Sequence, residues 1–197
     1  MFDKAGGNME PKADKRILKT KTLLKNAIYE LLKKKSLSAV NVSELCKTAK
    51  INRNTFYVHY TIPEEVFYEA VYDILVPIFN ELNRYPNSYD ALVRIVGFIK
   101  ENQAACKILM SDNCEGKFNA VLMERAFSST FENLAKQVSP YPKRYYRMIA
   151  DFYIHGSISI IHNWLQTDMS DEPEAIASLI INLCCYGAKG GPDPTSF

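Results

Sequence analysis

Twenty residues, Asn41 to Tyr60, constrain this chain more than any other stretch. They read NVSELCKTAKINRNTFYVHY and hold two helix starts. Asn41-Val42-Ser43-Glu44 has the form of a capping box. Asn41 satisfies free amides at the helix start, and Glu44 reaches back from the third helical position. Val42, Leu45 and Ala49 supply an apolar side. A turn at Ala49-Lys50-Ile51 leads to Asn52, a second N-cap, which opens a helix through about Tyr60. The segment is therefore two short helices joined by a tight turn.

The rest of the chain extends this to an all-α fold. There is no convincing period-two alternation bounded by turns and no internal repeat. A first helix is expected from about Asp14 to Lys34, with Ile17, Leu24, Ile28 and Leu31 on one face. Pro63 suits the first turn of a longer helix, where Glu64 and Glu65 favour the positive end of its dipole, and Pro77 kinks it or marks its last turns. Further helices are expected near 89–101, 103–111, 117–138, 143–167 and 172–188, joined through 112–116 and 139–142. The expected organisation is a flexible arm (1–13), a three-helix helix-turn-helix domain (14–62), a C-terminal helical bundle (63–188) and a flexible tail (189–197).

The net charge of +2 conceals an asymmetry. Residues 1–60 hold 13 Lys/Arg against 5 Asp/Glu, whereas 61–197 hold 11 against 17. Such a split points to a polyanion-facing module joined to one with another task. No apolar run reaches the length of a membrane span, and Met1 to Arg16 lacks the apolar core of a secretory signal, so a cytoplasmic protein is expected. Cys46, Cys106, Cys114, Cys184 and Cys185 are odd in number, without paired zinc-site spacing. They read as reduced thiols acting as small hydrophobes.

A basic helix followed by two short helices is how a protein places a helix end in the major groove of double-stranded DNA. The second helix must be braced from behind by apolar groups while its first residues stay short, polar and exposed. Ile51, Phe56 and Tyr60 can face inward; Arg53, Asn54 and Thr55 can face outward. Arg pairs with guanine edges, Asn with adenine edges, and a Thr methyl meets thymine. Tyr57, His59 and Ser43 have donors suited to phosphate, as do the free amides after Asn41. Asn41 and Asn52 join this set of DNA-contact candidates, although both also serve as caps.

At this point the residues resemble a family. NVSELCKTAKINRNTFYVHY is similar to the helix-turn-helix of the TetR family of bacterial regulators, with Arg53-Asn-Thr-Phe-Tyr-Val-His-Tyr60 as its recognition helix. The close resemblance covers about residues 15–70. It implies a homodimer on a roughly palindromic operator, its last two long helices forming the interface and an effector pocket inside the same C-terminal domain. Arg53, Asn54 and Thr55 would approach bases; Tyr57 and His59 would hold phosphates. Two positions depart from the family pattern. Lys50 stands where Gly is common in the turn, and a positive φ there would cost Lys about 1 kcal/mol. Pro63 stands where Lys usually opens the fourth helix, which leaves that backbone contact open, although the helix N-terminus can still favour a phosphate.

In the C-terminal half, helix 143–167 is apolar over more than one face, as a bundle and interface helix would be. Tyr153, Ile161 and Trp164 from it, with Leu179 and Leu183 from helix 172–188, are the expected dimer seam. Gly156 would permit a close crossing. Asp151, His155 and His162 share a face, but a third metal ligand is not evident and no metal or cofactor is expected. Phe98, Phe118, Phe127, Phe131 and Trp164 could line an apolar cavity, although aromatics at helical spacing are more often core. No enzyme is expected: the chain lacks a phosphate loop, HExxH and a nucleophile elbow. The expected function is a sequence-specific repressor controlled by a small-molecule effector or a protein partner. The alternative is a helical interaction adaptor with little DNA binding of its own.

Overall fold

The computed structural model describes residues 10–85, 88–127 and 141–188, and every regular element among them is helical. The chain divides into two compact units, Met1–Val71 and Tyr72–Phe197. The expected arm before residue 10, residues 128–140 and the tail from 189 lie outside the described residues.

The first unit begins with α1 (Glu10–Leu32). This helix starts four residues before the expected Asp14, with Pro11 in the first turn, where a missing amide costs no hydrogen bond. Leu24, Ile28 and Leu31 are buried as the spacing predicts, joined by Ala27 and Leu32. Ile17, expected on the same face, is 40% exposed because the unit's core begins two turns later, at Leu24. A short 3-10 turn at Leu37–Ala39 then buries Leu37 and leads into α2 (Val42–Ala49) and α3 (Arg53–Tyr57). Helix α4 (Pro63–Arg84) follows and contributes Val66, Phe67, Ala70 and Val71 to this core. Pro77 sits inside α4 rather than at its end. It removes one rung of the hydrogen-bond ladder while the helix continues for seven more residues.

In the second unit, α5 (Tyr89–Glu101) is capped by Ser88, whose Oγ accepts from the amide of Ala91 at 3.3 Å. Its buried stripe, Ala91, Ile95, Val96 and Ile99, follows helical spacing. Helix α6 (Gln103–Leu109) is succeeded by a 3-10 turn at Asp112–Cys114 and by α7 (Lys117–Phe127). A 3-10 turn at Lys143–Tyr145 precedes α8 (Tyr146–Gln166), and the last helix is α9 (Pro173–Ala188). Helix α9 packs along α5 and α8 through Ile176, Ala177 and Ile180. Lys100 of α5 meets Glu172 ahead of α9 at 2.8 Å. Trp164 is 4% exposed, and its indole N–H donates to the carbonyl of Asp171 at 3.1 Å. That bond closes the α8–α9 connection.

No charged or polar side chain is buried among the described residues. Cys46, Cys106 and Cys114 are buried thiols outside any disulfide, and Cys184 is half-buried. Burial pushes the Cys106 thiol up to about 11, so it stays protonated and behaves as a hydrophobe.

The α2–α3 turn carries a local cost. Lys50 has φ 55° and ψ 42°, the left-handed region, and its amide bonds the carbonyls of Cys46 and Lys47. A side chain with a Cβ is disfavoured there by roughly 1–2 kcal/mol, of which Gly's extra unfolded-state freedom returns part. Lys50→Gly is expected to raise stability by about 0.5–1 kcal/mol in urea unfolding. Lost stability would mean that the Lys50 side chain contributes more than its backbone strain removes.

Candidate nucleic-acid interface

The polar end of the helix-turn-helix is built from local caps. The Oδ1 of Asn41 accepts from the amide of Glu44 at 3.0 Å, as a capping box requires. The reciprocal half differs from expectation, because the Glu44 carboxylate meets Lys35 Nζ at 2.5 Å. A lysine between α1 and α2 offers a charge-assisted partner, stronger than the neutral amide of Asn41. Asn52 caps α3 by accepting from the amide of Asn54 at 2.8 Å. Helix α3 closes at Tyr57 instead of near Tyr60, with the His59 and Tyr60 amides both bonding to the Phe56 carbonyl.

Two aromatic residues hold α3 from behind. Phe56 is fully buried and Tyr60 is 7% exposed, their ring centroids 5.8 Å apart. In front, Asn52, Arg53 and Asn54 are exposed, as are Asn41 and Ser43 on the adjoining helix start. Thr55 and His59 are half-buried, and the His59 ring lies against Tyr60 with centroids 6.4 Å apart. Tyr57 is 59% exposed. Arg53 Nη2 donates to Ser43 Oγ, which joins the first residues of α3 to the first turn of α2. The exposed cations Lys47 and Lys50 stand beside this edge in the sequence, and periodicity alone gave them no role.

Glu69 on α4 is the residue that sequence reasoning missed. Its carboxylate receives Lys21 Nζ at 2.9 Å, Tyr60 Oη at 2.7 Å and Lys25 Nζ at 3.6 Å. The Lys21 ammonium also lies 5.6 Å from the Tyr60 ring centroid. One acidic group thus ties α1, the end of the recognition segment and α4 together. Partial burial pushes its carboxyl upward. The hydrogen bonds from Lys21 and Tyr60, with the charges of Lys21 and Lys25, outweigh that and hold it below the usual range. No sequence signal marks it, since Lys21 lies 48 residues away.

The seam candidates separate by exposure. Leu179 and Leu183 on α9 are 46% and 54% exposed, Tyr153 and Ile161 on α8 are half-buried, and Trp164 is spent inside its own unit. Phe152 and Met148, at 73% and 65%, are the most exposed apolar side chains of α8. Gly156 is open, with nothing within 4 Å of an added Cβ, so among the described residues no helix crosses closely there. Asp151, His155 and His162 do not converge. His155 Nδ1 lies 2.8 Å from the Asp151 main-chain carbonyl, and the His162 ring lies 3.4 Å from the Gln166 amide. Of the aromatics, Phe118 and Trp164 are core and Phe98 is half-buried, while Phe131 and the Phe127 side chain lie outside the described residues.

The TetR-type transcriptional regulator C-terminal region matches residues 86–184, half of the chain. The chain belongs to the TetR family. Its fold is also that of solved regulators. A TetR regulator from Streptococcus agalactiae is 22% identical over 87% of this chain and 97% of that one, with a TM-score of 0.68. NalD, the secondary repressor of the MexAB-OprM multidrug efflux pump in Pseudomonas aeruginosa, is 19% identical over 88% and 97%, with a TM-score of 0.62. The fatty acid degradation regulator FadR of Bacillus halodurans is 18% identical over 96% and 100%, with a TM-score of 0.54. At these identities the likeness is one of fold. No curated protein matches the chain. Among the described residues, no helix is long and apolar enough to cross a membrane.

A segment whose end is tied to one carboxylate, as Tyr60 is to Glu69, should be acid-sensitive at that group. A depressed carboxyl stabilises the fold fully above its ordinary value of 4.5, and that contribution is lost as pH falls through the lower value it has in the fold. Glu69→Gln is expected to cost about 1–2 kcal/mol near neutral pH, between the ranges for exposed and buried ion pairs. Thermal unfolding from pH 7 to pH 3 should show the gap between wild type and variant closing only at the acid end. A gap independent of pH would assign the loss to packing.

Proposed function

We propose that this TetR-family chain is a sequence-specific DNA-binding repressor that reads a palindromic operator as a homodimer. The observation that carries the reading is the exposed polar edge of Ser43, Arg53 and Asn54, set on helices fixed from behind by Phe56 and Tyr60. Arg53 and Asn54 can pair with base edges, while Ser43, Tyr57, His59, Asn41 and Asn52 have groups suited to phosphates. The positive balance of residues 1–60 adds a sequence-independent attraction. Occupying an operator suffices to exclude polymerase, whereas activation needs a further productive contact.

Two half-sites require two copies of the helix, roughly 34–36 Å apart. Leu179 and Leu183 of α9, with Tyr153 and Ile161 of α8, are the proposed seam, since exposed apolar side chains on one helix need a partner. Trp164 would support that seam from within.

The effector is proposed to act through the C-terminal unit by favouring one spacing of the two recognition helices over the other. A half-open depression there, about 190 Å³, is lined by Pro77, Ile78, Glu81, Arg94, Ile95 and Phe98. Small-molecule sites run to roughly 300–1,000 Å³, so a ligand of ordinary size would have to widen it.

Selection from random duplex DNA at two salt concentrations tests the reading. An enriched inverted repeat, bound less tightly at the higher salt, is expected. Arg53→Ala should then weaken binding to that repeat by about 1–3 kcal/mol and relax discrimination at one base position. No enrichment from folded dimer would favour a helical adaptor. For the seam, Leu179→Glu with Leu183→Glu should turn a dimer into a folded monomer in sedimentation at micromolar concentration. A persistent dimer would place the interface elsewhere.

A further inference from the structure

Arg53 and Ser43 are the one pair in the candidate interface whose side chains bond to each other across the two short helices. Both are exposed, so burial does not force the contact. Each end is anchored. Ser43 lies in the first turn of α2, whose start is locked by the Asn41 cap, and Arg53 is the first residue of α3, locked by the Asn52 cap. The bond uses one guanidinium nitrogen and a neutral hydroxyl, so the positive charge is not neutralised. The remaining N–H groups stay available for the paired acceptors of a guanine edge.

We infer that Ser43 is a positioning residue for Arg53 and so sets base specificity at one position of each half-site without itself reading a base. The inference rests on the DNA-binding reading above and assigns Ser43 a different task from phosphate contact. Its physical basis is rotamer entropy. A free arginine side chain samples many rotamers, all but a few of which must be given up when it pairs with a base. A hydroxyl that already holds the guanidinium removes part of that loss before DNA arrives, as preorganisation does in any interface. The effect falls only on the sequence that Arg53 recognises, because non-specific binding needs the charge but not one orientation.

The test is a double-mutant cycle on the inverted repeat recovered from random duplex DNA. It compares wild type, Ser43→Ala, Arg53→Ala and the double variant, on the preferred repeat and on repeats altered at each position. Ser43→Ala is expected to lower discrimination at the Arg53 position by about 3- to 10-fold, read as the ratio of affinities for the preferred repeat and for repeats altered at that position. In the Arg53→Ala background the same change should have no further effect. Ser43→Thr, which keeps the hydroxyl, should restore most of the discrimination. An equal loss on every sequence, undiminished without Arg53, would overturn the inference and leave Ser43 a phosphate contact. If Arg53→Ala itself leaves sequence preference unchanged, the base-reading role of Arg53 fails and the positioning role fails with it. If wild type enriches no repeat, the failure is that of the DNA-binding reading as a whole. Matching thermal unfolding of Ser43→Ala and wild type checks that the comparison is between folded proteins.

Discussion

A helix of five residues does not persist alone in water, because nucleation costs more than one turn of hydrogen bonds returns. The candidate recognition helix, Arg53–Tyr57, is such a helix. What holds it is burial at its back and a tie at its end. Phe56 is sealed within the first unit, a side chain whose loss from a packed core costs about 3–5 kcal/mol. Tyr60 is buried beside it, with its hydroxyl on Glu69. The same carboxylate receives two lysines of α1. Every exposed group at the front of the motif takes its position from this anchorage.

The strain at Lys50 belongs to the same arrangement. To turn sharply between α2 and α3 the chain passes through a left-handed residue, and here that residue is not glycine. The amide of Lys50 still closes the last turn of α2, so no donor is wasted. The turn brings the starts of α2 and α3 within reach of each other, and the contact between Ser43 and Arg53 follows from that reach. A small stability cost is therefore coupled to the geometry of the polar edge.

The second unit has a different character. Its core is a set of helical stripes, with α5 and α9 packed side by side and Trp164 bonded to the loop between α8 and α9. The outer faces of α8 and α9 keep apolar residues such as Phe152, Leu179 and Leu183 in the open. Membership of the TetR family rests on the match across 86–184, most of this unit, while the candidate helix-turn-helix lies in the other.

Much of this was legible in the residues because it depends on neighbours in the chain. Caps at Asn41 and Asn52, the buried pair Phe56 and Tyr60, the start at Pro63 and the span of α5 all follow from spacings of a few residues. Periodicity tells which side of a helix is apolar, and composition tells which end of the chain is basic. Neither tells where a core begins or which distant side chains meet. Ile17 keeps the period yet is 40% exposed, and Trp164 reads as an interface residue yet faces inward. Glu44 turns from its own cap to Lys35, and Glu69 gathers Lys21 and Lys25 from more than forty residues away. Local spacing determined the helices, the caps and the chemistry offered at the recognition edge. Only the tertiary structure decided which charges pair, which aromatic faces inward and which arginine is held, because those outcomes depend on distances between segments that the order of residues does not encode locally.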